Sequence, residues 1–199
     1  NGARADADDD VVCRACDLSM GLGSSSLTMV ELSRAYSAFA TYGKLVEPYF
    51  IERVIDRDGT VIEEHEAVSD WPQVMDPGVA SVSHWLVRGV ATGGTAAKTN
   101  QLGIEVAGKT GTTNDYRNAA FLGFVPVLHS GEWSWARGYT LGVYVGYDDN
   151  REMVRGGVRI DGASGALPVW MGTANGLARI GLLGTGEALS TEMVIEDSI

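Results

Sequence analysis

Two short runs, Ile104 to Gly108 and Ala119 to Pro126, bracket the polar stretch Lys109-Thr110-Gly111-Thr112-Thr113-Asn114-Asp115-Tyr116-Arg117. Neither run is long enough for an ordinary helix, and glycine or proline closes each, so they read as strands joined by a polar turn. The expected spans are Glu105 to Thr113 and Ala119 to Val125. A third strand is expected over Tyr139 to Tyr147, after a loop holding His129, Trp133 and Trp135. Helical patterns lie before and after this group of consecutive strands. That order predicts an α+β fold, an antiparallel sheet flanked by helices.

The flanking helices carry their own start and stop signals. Thr28-Met29-Val30-Glu31 is a capping box; Leu32, Ala35, Tyr36, Phe39 and Ala40 then recur at helical spacing, and Gly43 can close the helix. Asp76 can cap a second helix with Pro77 in its first position. Val79, Val82, Leu86 and Val90 give that helix an apolar face, and Gly93-Gly94 ends it. A final helix is expected from Ser164, with Leu167, Trp170, Met171, Ala174 and Leu177 on one face; Pro168 is tolerable only in its first turn. Between the first two helices, Tyr49 to Asp56 and Thr60 to Glu66 read as a hairpin turning at Arg57-Asp58-Gly59.

A chain of 199 residues suits one domain, and its net charge of -11 argues against nucleic acid, whose phosphates call for a basic face. No apolar run reaches the roughly 18 residues of a transmembrane helix. Asp6, Asp8, Asp9 and Asp10 make the start an acidic, solvated segment. Cys13 and Cys16 lack the two further ligands a metal would need, so the pair reads as exposed thiols or a local disulfide.

Lys-Thr-Gly on a strand is one element of the serine acyl-transferase site of penicillin-binding proteins and class A β-lactamases. A strand ending in Lys-Thr-Gly-Thr-Thr can grip a peptide and stabilise an oxyanion. Lys109 would set a cation near the substrate carboxylate and the proton path. The hydroxyls of Thr110 and Thr112 can bind that carboxylate, with Thr113 beside them. Gly111 lets a substrate lie against the backbone, and the Thr112 N–H can be one oxyanion donor. In a flat strand, however, Thr110 and Thr112 share one face while Lys109 and Gly111 share the other. A groove that uses Lys109 and Thr112 side by side therefore needs a twist or kink at Gly111. The nucleophile motif Ser-x-x-Lys is absent: Thr41-Tyr42-Gly43-Lys44 and Thr95-Ala96-Ala97-Lys98 have the wrong first residue. No Ser-x-Asn motif is present.

Further segments match in order. Leu22-Gly23-Ser24-Ser25 leads into a helix containing Leu32-Ser33-Arg34-Ala35-Tyr36, followed by Gly94-Thr95-Ala96, Gly108 to Thr113, and Val145-Gly146-Tyr147-Asp148-Asp149. With these the chain resembles the C-terminal part of the transpeptidase domain of a class A, bifunctional penicillin-binding protein. The resemblance covers Asp17 to Ala178. It implies a partial penicillin-binding-protein/β-lactamase-like fold, with residues 1–16 an acidic flexible segment, 17–178 the transpeptidase part and 179–199 a tail. It further implies a D,D-transpeptidase that binds peptidoglycan stem peptides ending in D-Ala-D-Ala, on the periplasmic or extracytoplasmic face of the membrane. β-Lactams would be partners once an upstream half completes the site. No cofactor and no metal are implied, and membrane attachment would come only through an upstream anchor. Without the serine, the chain by itself is expected to be inactive. The alternative is a non-catalytic module that holds stem peptides. One departure lies beside the motif: Asn118-Ala119-Ala120-Phe121 stands where the family often reads Asp-Ala-Trp-Phe.

Overall fold

The computed structural model describes residues 23, 26–65, 68 and 70–184. Cys13, Cys16, the acidic run and most of the tail lie outside the described residues.

The expected capping box is present. The Thr28 hydroxyl accepts the Glu31 N–H at 3.2 Å, and the Glu31 carboxylate accepts the Thr28 N–H at 2.7 Å. These bonds satisfy N–H groups that a helix start leaves free, and they open α1, Met29–Ala40. Gly43 follows with φ +87°, and any Cβ there would run into the Met75 carbonyl. The buried residues of α1 are Ser37, Ala38 and Ala40, while Ala35, a member of the helically spaced stripe, is exposed. The hairpin forms over shorter strands than expected, β1 Arg53–Ile55 and β2 Val61–Glu64, around Gly59 at φ +84°.

Asp76 caps α2, Pro77–Gly93, by accepting the Gly78 and Val79 N–H groups, and Gly94 ends it. Of its apolar stripe only Val90 packs against the core. Ala80, His84 and Ala91 are buried, whereas Val79, Val82 and Leu86 are exposed.

The strands β3 (Ala107–Thr112), β4 (Asn118–His129) and β5 (Glu132–Gly146) form an antiparallel sheet in the order β3-β4-β5. The expected loop around Trp133 and Trp135 is instead part of a long hairpin. It turns tightly at Ser130 and Gly131, both with positive φ, the conformation that two-residue hairpin turns favour. A short hairpin that was not expected, β6 Val154–Arg155 and β7 Val158–Arg159, turns at Gly156-Gly157, both with positive φ, a pair that two-residue hairpin turns favour. One wide turn, Gly162–Ala166, then leads into α3, Leu167–Arg179, with Pro168 in the first turn as required.

Alternation along β4 splits the core in two. Phe121 and Val125 join Leu167, Trp170 and Ala174 of α3, and Trp170 donates to the Leu141 carbonyl at 3.0 Å. Phe124 joins Ala40, Ala107 and Trp135 on the α1 side. The sheet is thus covered by α3 on one face and α1 on the other. α2 reaches both clusters, through Val87 on the α1 side and Ala91 on the α3 side, and lies beside the edge strand β3.

Candidate functional site

Lys109, Thr110, Gly111 and Thr112 all lie on β3, the free edge of the sheet. Pairing with β4 runs unbroken from Ala107 opposite Phe124 to Thr112 opposite Ala119. No kink interrupts the alternation, so Lys109 and Thr112 project their side chains from opposite faces. The arrangement in which both side chains share one face is not the one this strand adopts.

The two faces have different partners. On the α3 side, the Thr110 hydroxyl lies 2.8 Å from that of Thr95, just past the end of α2. The Thr112 hydroxyl accepts the Gly162 N–H at 3.0 Å. Gly162 must be small: a Cβ there would lie 2.7 Å from the Gly111 carbonyl oxygen and 2.8 Å from that of Ala120. The Asp161 carboxylate accepts the Ser164 N–H and hydroxyl, at 2.8 and 2.9 Å, and so fixes the turn that presents Gly162. Those bonds from Ser164 hold the Asp161 carboxyl below the usual carboxylate range. On the other face Lys109 is exposed, and its ammonium donates to the Thr110 carbonyl at 3.0 Å.

The backbone supplies the directional element. The Thr113 N–H donates to the Asn118 carbonyl at 2.9 Å, toward β4. In an antiparallel ladder successive residues point their N–H groups to opposite sides. The Thr112 N–H therefore points off the free edge, as does the Thr110 carbonyl that Lys109 meets. The polar turn beyond is closed by Asn118, whose N–H donates to the Thr113 hydroxyl at 2.9 Å. The Asn118 side chain accepts the Tyr144 hydroxyl and donates to Asn150 at 3.2 Å. Asp115 and Tyr116 in this turn both adopt left-handed backbone, φ +58° and +54°. Such strain in non-glycine residues clusters at functional sites.

A groove of about 980 Å³ lies elsewhere, between α1 and β5, lined by Arg34, Trp71, Trp135 and Arg137 among others. None of Lys109 to Thr113 lines it. Among the described residues no group of three or more His, Cys, Asp or Glu could hold a metal ion, and no helix is long and apolar enough to cross a membrane.

Comparison with known proteins decides the family. The model of the penicillin-binding protein transpeptidase domain matches residues 13–140, more than half of the chain. The chain belongs to the penicillin-binding-protein transpeptidase family. Penicillin-binding protein 1A of Aquifex aeolicus is 35% identical over 153 residues, covering 77% of this chain and 19% of that protein. The Neisseria gonorrhoeae protein of the same name is 35% identical over 158 residues, covering 77% and 18%. The chain thus spans about a fifth of the length of these relatives. The crystal structure of Haemophilus influenzae penicillin-binding protein 1A superposes with a TM-score of 0.67 at 25% identity, over 87% of this chain and 29% of that one. Two structures at 22% identity share the fold. The D,D-transpeptidase domain of an Eggerthella lenta peptidoglycan glycosyltransferase has a TM-score of 0.58 and covers 78% of this chain and 33% of that one. Mycobacterium tuberculosis PonA1 in complex with penicillin V has 0.61, with 86% and 42%.

Sequence reasoning singled out the Lys109 to Thr113 strand but missed the groups that hold it. Thr95 was visible in Gly94-Thr95-Ala96, and Asn118 as a departure from the family pattern. Nothing in the local sequence pointed to Gly162, which lies 50 residues beyond its partner Thr112.

Proposed function

We propose that this chain forms the Lys-Thr-Gly wall of a peptidoglycan D,D-transpeptidase site on the extracytoplasmic face of the membrane. The observation that carries this reading is the free edge of β3, where the Thr112 N–H points outward next to exposed Lys109. A peptide laid along that edge meets both a hydrogen-bond donor and a cation. The scissile carbonyl would take the Thr112 N–H as one oxyanion donor, the second coming from the nucleophile's own backbone. Lys109 would set its charge near the terminal carboxylate and the proton path. Gly111 adds no side chain on the Lys109 face, so the substrate can approach closely.

The threonine hydroxyls fit as well. That of Thr112 accepts the Gly162 N–H and keeps its own proton to donate, whereas that of Thr113 accepts the Asn118 N–H and donates to the Asn118 carbonyl at 3.5 Å. Of the Thr95–Thr110 pair one proton is likewise spare. Thr112, and Thr110 when Thr95 donates to it, can therefore supply donors to a carboxylate without breaking a bond, while Thr113 would exchange its long bond to the Asn118 carbonyl for one. The same edge suits a β-lactam, whose carbonyl and carboxylate mimic the two ends of D-Ala-D-Ala. One solved relative of the fold is the complex with penicillin V.

No serine here has a lysine three residues on, so the isolated chain is expected to form no adduct with fluorescent penicillin on denaturing electrophoresis. Placed in the transpeptidase domain of the A. aeolicus relative in place of the matching segment, it is expected to restore the adduct. There Lys109→Ala should slow acylation by about 10²–10³, the usual loss for one preorganised group in such a site. Unchanged acylation in that folded, active chimera would remove Lys109 from the reaction, and an adduct on the isolated chain would reveal a different nucleophile.

A further inference from the structure

The pairing of β3 with β4 ends in a corner that a single residue holds. Just past β3, the Thr113 N–H donates to the Asn118 carbonyl, and the Thr113 hydroxyl accepts the Asn118 N–H, both at 2.9 Å. The four residues between them include Asp115 and Tyr116, both in left-handed backbone. Such a backbone persists only where its surroundings fix it. Asn118 therefore sets where the chain leaves the sheet, one residue beyond the outward N–H of Thr112. The Thr112–Gly162 bond holds a side chain, whereas Asn118 holds the backbone beside it.

The Asn118 side chain is tied in turn. Its amide accepts the Tyr144 hydroxyl and donates to Asn150 at 3.2 Å. The Asn150 carbonyl accepts Arg117 at 2.8 Å, and Arg117 also pairs with Glu152 at 3.3 Å. Arg117, Asn150 and Glu152 all lie outside helices and strands. Tyr144 lies within β5, paired with β4 at Ala120, so it alone links the Asn118 side chain to the framework of the sheet. Tyr144 and Asn118 are diagonal neighbours on one face of the β4–β5 pair, a separation that aromatic side chains span. Gly146, opposite Asn118 in the ladder, makes room for the contact. A Cβ there would lie 2.5 Å from the Tyr144 hydroxyl and 2.9 Å from the Asn118 side-chain oxygen. Tyr144 is 52% exposed, so its bond to Asn118, more than burial, sets where the ring lies.

We propose that Tyr144 is a positioning residue for acyl transfer: through Asn118 it fixes Thr113 and so aims the Thr112 N–H. The proposal rests on the transpeptidase reading above. A donor for developing negative charge acts only if it is aimed before the reaction, and a strand aims more precisely than a loop. The outer side of β3 has no strand among the described residues, so the aim of this N–H depends on β4 and on the corner.

The test has two arms. In this chain, Tyr144→Phe deletes one hydroxyl and should speed amide hydrogen exchange at Thr113 about five- to tenfold, the worth of one such bond. Exchange at Phe121, in the middle of β4, should not change. Tyr144→Phe should add nothing in an Asn118→Ala background, because both act through one contact. Asn118→Asp, whose carboxylate still accepts the hydroxyl, should keep exchange at Thr113 slow. In the A. aeolicus chimera, Tyr144→Phe should lower the rate constant of penicillin acylation about tenfold through misplacement of the donor. The dissociation constant of the complex that precedes acylation should stay the same, since Lys109 and the hydroxyls around it are untouched. Unchanged exchange at Thr113 would overturn the proposal. So would equal acceleration at Thr113 and Phe121, which would make Tyr144 a general stabiliser, or a Tyr144→Phe effect that survives in Asn118→Ala. A chimera that forms no adduct before any substitution sinks the catalytic reading, and the exchange arm then decides alone whether Tyr144 holds the corner. A chimera acylated equally fast with Tyr144→Phe sinks the positioning role and leaves the catalytic reading standing.

Discussion

α2 and α3 are built alike and buried unlike. Both carry proline in the first turn and both carry one tryptophan, Trp85 at the middle of α2 and Trp170 near the start of α3. Trp170 of α3 is fully buried, with its ring 5.0 Å from Phe121 in an edge-on contact, while Trp85 of α2 is 61% exposed. The difference follows from what each helix lies on. α3 covers a sheet face, where β4 and β5 present Phe121, Val125 and Leu141, and large side chains fill the space between layers. α2 lies beside an edge strand and buries only small residues, Ala80 and Ala91, together with His84. Helix amphipathicity therefore names two candidate faces for α2, and the size of the residues, not their hydropathy, tells which one packs closely.

The largest effect expected from this contrast is between the two tryptophans. Trp170→Ala should cost about 3–5 kcal/mol, the usual range for emptying a buried aromatic site. Trp85→Ala in the same isolated chain should stay within about 0.5 kcal/mol, as exposed substitutions do. Urea unfolding of the two variants measures both. A Trp85→Ala loss approaching that of Trp170→Ala would abolish the distinction between the helices.

The buried face of α2 has a second signature in His84. Its ring lies between Phe124 and Trp135, at 5.0 and 4.6 Å, with Nδ1 3.3 Å from the Phe39 carbonyl and Nε2 buried without a partner. Burial pushes its pKa down to about 4, outweighing the upward pull of the Phe39 carbonyl; nearby Arg88 also lowers it. Glu105, just before β3, is ion-paired with that Arg88 at 2.7 Å. The folded chain then holds His84 neutral while the unfolded chain protonates it near pH 6.5, so acid favours unfolding. The stability that this histidine contributes should be intact above pH 6.5 and fall by roughly 3 kcal/mol as the pH drops to 4, at about 1.4 kcal/mol per unit of pKa displacement. His84→Met should flatten that part of the pH profile. Parallel profiles for the two proteins would show that His84 is hydrated or paired.

Local signals account for much of what the sequence made legible. The Thr28 capping box, the Asp76-Pro77 start and the first-turn Pro168 are each written within a few residues and each is where expected, and the three strands exist and pair in the expected order, though β4 and β5 run longer than expected. What stayed hidden depends on contacts distant in sequence. The outward face of α2 is decided by its position beside β3. The extension of β5 through Trp133 and Trp135 depends on pairing with β4, and Trp135 turns inward only because Phe124 and His84 await it. The candidate site divides in the same way. Lys109 to Thr113 could be read directly as a strand, but the hydroxyl partners that orient it come from Thr95 and from the turn before α3.

Those two partners give the last and smallest test of the comparison, because β3 ties down both helices through threonines on one face. The Thr110 tie to α2 runs through Thr95, which is exposed, so water can replace it. The Thr112 tie to α3 accepts from Gly162, which is buried, so removal leaves an N–H without a partner. A buried donor left unpaired costs about 1–3 kcal/mol, more than the net worth of an exposed hydrogen bond. Thr112→Val should therefore destabilise the chain by that amount, and Thr112→Ser should restore most of it. Thr95→Val should cost no more than about 0.5 kcal/mol. Hydrogen exchange at Gly162 checks the mechanism, since only the Thr112 variant should speed it. If Thr95→Val proved the more damaging of the two, α2 rather than α3 would be the helix that β3 holds most firmly, and the contrast drawn from their tryptophans would have to be reversed at this end of the sheet.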